Sequence, residues 1–151
     1  MRGRAALLGL VVWLFAAGSA TAGPNLLVGV SEDSLKWRTA ETSSVARDLG
    51  LRIFRVTLPW APGQRTVDWQ DAEILNQAVV GASGMRIALA VYARPPVSVE
   101  RTPNDPQARD DYCAYVDDAL RRFPQIGDVV IWNEPNLSYF WKPQFDGGGR
   151  A

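Results

Sequence analysis

Gly50-Leu51-Arg52-Ile53 and Gly84-Met85-Arg86-Ile87 stand 34 residues apart (Gly50 to Gly84), and each closes a helix and opens an apolar strand. That period suits one strand-plus-helix unit, so the chain reads as an alternation of strands and helices. Strands are expected over 25–30, 51–58, 85–92 and 129–131, with helices over 43–49, from 69 to the low eighties, and from 106 to 123. The strands are apolar on both faces, as in sheets covered by crossover helices, so the sheet is parallel and its crossovers right-handed.

Local punctuation supports this division. Gly50 falls at the C′ position after the first helix, where a left-handed residue ends a helix cheaply. Asp68 caps a helix carrying Trp69, Ala72, Leu75, Ala78, Val79 and Ala82 at helical spacing. Asp105-Pro106 is a cap followed by a first-turn proline, and Pro124 ends that helix. Arg94-Pro95-Pro96 breaks the third strand. No Gly-x-Gly-x-x-Gly follows the first strand, which counts against a dinucleotide site. Four strands and three helices fit the first half, about four β/α units, of a TIM (β/α)8 barrel. A complete barrel takes about 250 residues. The chain is expected to be truncated after the fourth strand, with two strand edges left unpaired.

Composition narrows the chemistry. The sequence has no His, which excludes Ser-His-Asp and Cys-His catalysis and His-ligated metals within this chain. Carboxylates are then the available acid/base groups. Met1 to Ala22 reads as a signal peptide: Arg2 and Arg4, an apolar run over 5–17, then Ala20 and Ala22 in a cleavage arrangement. The run is too short for a spanning helix of about 20 residues, so secretion without stable membrane association is expected. Residues 23–151 form the mature half-barrel. Without Arg2 and Arg4 the charges are 14 basic against 16 acidic, and no basic patch points to nucleic acid. The lone Cys113 excludes an internal disulfide and is expected as a buried, inert thiol.

The fourth strand runs directly into Trp132-Asn133-Glu134-Pro135-Asn136. Pro135 stops the strand, leaving an amide and a carboxyl at its carboxyl end. In parallel α/β folds that end is where catalytic groups sit. Glu134, beside Trp132 and an amide, is well placed to act as a general acid. This motif, followed by Tyr139-Phe140-Trp141, resembles the fourth-strand motif of the clan A glycoside hydrolases, the retaining (β/α)8-barrel glycosidases, with families 5 and 39 nearest. The resemblance implies hydrolysis of O-glycosidic bonds in a β-linked oligo- or polysaccharide. It assigns Glu134 as acid/base and Asn133 to the sugar 2-hydroxyl. Retaining enzymes need two carboxyls roughly 5–5.5 Å apart; the resemblance puts the nucleophile, a Glu, on a seventh strand that this chain does not reach. No metal or organic cofactor is implied.

Other residues fall on the same end. The resemblance gives Arg55 contact with the nucleophile; the alternative is an ion pair with another carboxylate, since a guanidinium inside an apolar strand requires a partner. Trp60, Tyr92 and Trp141 follow strands two, three and four and could stack on sugar rings, and Asn136 joins them as a substrate-binding candidate. Arg94 departs from the clan's pattern after strand three. Among other carboxylates, Asp105 reads as a cap, Asp128 sits at the wrong end of its strand, and Glu32 and Asp33 read as substrate-loop or solvated groups. The competing readings are a degenerate, non-catalytic carbohydrate-binding barrel and an unrelated parallel α/β ligand-binding domain.

Overall fold

A computed structural model describes residues 23, 25–93, 102–145 and 147–149. Residues 1–22, expected as a signal peptide, and Arg94-Pro95-Pro96 lie outside the described residues.

Strand β1 (Gly29–Ser31) leads into a 3₁₀ turn at Ser34–Lys36 and helix α1 (Thr39–Asp48). Then come β2 (Ile53–Pro59), α2 (Trp69–Gly81), β3 (Arg86–Tyr92), α3 (Pro106–Arg122) and β4 (Asp128–Ile131). The four strands form one parallel sheet in the order β1-β2-β3-β4, so strand order follows sequence order. The punctuation acts as the sequence suggests. Asp68 and Asp105 each accept a hydrogen bond from the backbone N–H three residues on, at 2.8 Å. Gly50 is left-handed at φ 69°, and the bonds Gly50 N to Arg47 O and Leu51 N to Ala46 O complete a Schellman cap. Gly84 is left-handed as well, at φ 82°.

Period-two alternation gives the sheet two unlike faces. Phe54, Val56 and Leu58 of β2 and Ile87, Leu89 and Val91 of β3 belong to one buried cluster with Leu75, Ala78 and Val79 of α2 and Tyr115, Val116 and Ala119 of α3. The opposite face carries Ser31, Arg55, Thr57, Ala88, Ala90 and Val130, which fall in register on neighbouring strands.

Three expectations need correction. The first strand is only three residues long and exposed: its register with β2 starts at Gly29 opposite Ile53, and before it Val28 O accepts from Arg52 N at 2.8 Å. Helix α1 starts at Thr39, four residues early. Its first turn is polar and lacks periodicity, and its contact with α2 is made by small groups: Ser43 Oγ donates to Gly81 O at 2.8 Å. A Cβ at Gly81 would stand 2.5 Å from Thr39 Cγ2, so the crossing depends on glycine. Finally, β4 is not buried on both faces, and Ile131 is 63 % exposed, because it is an edge strand among the described residues.

Candidate functional site

The carboxyl ends of the strands gather most of the polar chemistry. Past Ile131 the chain leaves β4 through Trp132 at φ 65° and Glu134 at φ 40°. Positive φ is uncommon for non-glycine residues and an outlier for a bulky one, and such outliers cluster at functional sites. The surroundings of Trp132 enforce its conformation. Its ring is buried, its Nε1 donates to Phe140 O at 2.8 Å, and its backbone N donates to Val91 O at 3.1 Å.

An aromatic cluster braces this turn. Trp132 meets Trp60, Tyr112 and Trp141 edge to face, with ring centroids 6.2, 5.9 and 5.6 Å away. Tyr112 donates its hydroxyl to Val91 O at 2.7 Å. Burial pushes its pKa up to about 12, although the hydrogen bond from Trp132 N pulls the other way. Burial raises the Tyr115 hydroxyl too, with the nearby carboxylates of Asp71, Asp68 and Asp118 adding to it; that hydroxyl donates to Pro59 O at 2.7 Å. Both tyrosines thereby tie α3 to the ends of neighbouring strands.

Asn133 is half-buried and accepts at Oδ1 from Arg55 Nη2 at 2.8 Å; Arg55 Nη1 donates to Ser31 Oγ at 3.0 Å. Among the described residues the partners of Arg55 are thus neutral, and no ion pair with another carboxylate is made. Nor does Arg55 end its strand: it is the third residue of β2, and its long side chain reaches the site. Glu134 is exposed, so its carboxyl is open to a ligand, and Asn136 is exposed beside it.

The aromatic candidates divide. Trp60 is only 2 % exposed and its Nε1 donates to Gln64 O at 3.0 Å; it is core and offers no face to a sugar. Tyr92 is half-buried at the end of β3, its ring edge-on to Phe140. Trp141 is half-buried and lines a cavity of about 410 Å³ on the helix side of β4, with Ile131, Tyr112 and Cys113. Cys113 is exposed, contrary to expectation. It follows the inward-facing Tyr112 by one position, and a step of one residue turns about 100° around a helix.

A second polar cluster escaped the sequence. Asp33 is only partly solvated, and its carboxylate is held by hydrogen bonds and an ion pair. Its Oδ1 accepts from Thr57 N at 2.8 Å and lies 2.9 Å from Lys36 Nζ, and its Oδ2 accepts from the Thr57 hydroxyl. Burial alone would push this carboxyl up, but the hydrogen bonds from Thr57 and the Lys36 ammonium hold it below its usual value. The buried Lys36 also donates to Thr57 Oγ1 at 3.0 Å. The only sequence signal was a lysine three residues after an aspartate. Glu32 accepts from Ser34 N at 2.8 Å, and Asp128 pairs with Arg86 at the opposite end of the sheet.

No protein-family model matches the chain, and no curated protein sequence matches it either. The class shown is an α/β fold with a four-stranded parallel sheet. Among the described residues no helix is long and apolar enough to cross a membrane, and no cluster of three metal-ligating side chains occurs.

Proposed function

We propose that the chain is the amino-terminal half of a secreted, retaining (β/α)8-barrel glycosidase in which Glu134 is the acid/base. The observation that carries this reading is the placement of Asn133 and Glu134 directly past the carboxyl end of β4, with Arg55 of β2 bonded to the Asn133 amide. Sheet order matching sequence order, with a helix between each pair of strands, fits the first four units of such a barrel.

In the proposed reaction, Glu134 as the acid protonates the oxygen of the departing sugar while a Glu of a seventh strand attacks the anomeric carbon. As carboxylate, Glu134 then takes a proton from the water that releases the glycosyl-enzyme. Asn133 holds the sugar 2-hydroxyl during both steps. The substrate is a β-linked glycan, and the catalytic carboxyls need no cofactor. The carbohydrate-binding alternative relies on free aromatic faces, and the burial of Trp60 takes one away.

Replacing Glu134 by Gln in the complete protein tests the reading. Hydrolysis of an aryl β-glycoside should fall by about 10²–10⁴-fold, more for a poor leaving group than for one that departs unprotonated. Unchanged hydrolysis, or an equal loss for both leaving groups, would sink it.

A further inference from the structure

The open face of the sheet carries a chain of three side chains, two from neighbouring strands and one from just past a third. Arg55 donates one way to Ser31, the last residue of β1, and the other way to Asn133, just past β4. Its guanidinium therefore crosses β3, where the residues in register with Arg55 and Thr57 are Ala88 and Ala90. Two methyl side chains keep that crossing clear.

A guanidinium has donors and no acceptor. The amide atom it meets must be the carbonyl oxygen, so Asn133 is fixed with its NH2 turned away from Arg55. Ser31 accepts from Arg55 and keeps its own proton. We propose that Ser31 and Arg55 are positioning residues that act through Asn133, holding its amide so that a bound glycan hydroxyl meets an N–H donor and not a carbonyl. The proposal rests on the glycosidase reading and adds Ser31 to it. Ser31 matters because an Arg side chain is long and loses much rotamer freedom when fixed. Two anchors, one at each fork of the guanidinium, hold it where a single anchor would let it swing.

The test uses the complete protein and four forms: wild type, Ser31→Ala, Asn133→Ala and the double variant. Each is assayed for kcat/KM on an aryl β-glycoside, and its side-chain amide ¹⁵N–¹H spectrum is recorded. Ser31→Ala should lower kcat/KM roughly fivefold, the size of one ordinary hydrogen bond, and move the Asn133 amide signals. In the Asn133→Ala background the same change should cost nothing further, since the residue it acts through is gone. Ser31→Thr, which keeps the hydroxyl, should restore the wild-type rate and signals. Additive losses in the double variant, or Asn133 signals that stay in place in Ser31→Ala, overturn the relay. If no glycoside is cleaved by wild type, the glycosidase reading fails separately, and the amide signals alone decide whether Ser31 and Arg55 orient Asn133.

Discussion

The two faces of the sheet are built from the same strands and have opposite characters. On the helix side, Val56, Leu89 and Val91 are fully buried and purely apolar. One residue away, on the other side, Arg55 and Thr57 hold hydrogen bonds to Asn133, Ser31, Asp33 and Lys36. Period-two geometry makes this separation possible, because adjacent residues of a strand face opposite ways. Stability is thus concentrated on one face and chemistry on the other, so a site can vary without dissolving the core.

Substitutions on the two faces should therefore be separable. The largest effect belongs to the helix side: Leu89→Ala should lower unfolding stability by about 2–5 kcal/mol, measured by urea denaturation. A loss under about 1 kcal/mol would mean that the buried cluster is not continuous there.

A smaller effect belongs to the tyrosines of α3. Tyr112 is raised from 10.0 to about 12, so the stability it contributes is complete below pH 10 and is lost as pH climbs through 12. In an alkaline titration followed by tyrosinate absorbance, Tyr112 and Tyr115 should ionise well above the ordinary value of 10.0, and Tyr112→Phe should remove one late step. Ionisation of Tyr112 and Tyr115 at the ordinary value of 10.0 would contradict the burial of α3 against the strand ends.

The smallest effect lies on the open face. Asp33 is held below its ordinary value of 3.8, so its contribution is complete above that pH and is lost as pH falls through the lowered value. Asp33→Asn should thus make stability less dependent on pH below about 4, as read by acid titration of circular dichroism. An unchanged acid slope would separate Asp33 from the network of Thr57 and Lys36.

The sequence alone determined the alternation of strands and helices, because a period of two or 3.6 is written into consecutive residues. It determined the helix caps at Asp68 and Asp105 and the stop at Gly50 for the same reason: each acts within three or four residues of itself. It also placed Asn133 and Glu134 after the fourth strand, through Pro135. Only the tertiary structure decided which side chains meet. Trp60 and Trp141 look equivalent after their strands, yet Trp60 is sealed beneath Trp132 and Tyr112 while Trp141 lines an outer cavity. The burial of Cys113 was misjudged because an apolar helix face was drawn one position too wide. The partners of Arg55 and Asp33 were invisible for a deeper reason. Arg55 finds Asn133 78 residues away, and Asp33 finds Thr57 24 residues away. Such pairings follow from strand register, which is fixed by the packing of the whole sheet rather than by any local pattern.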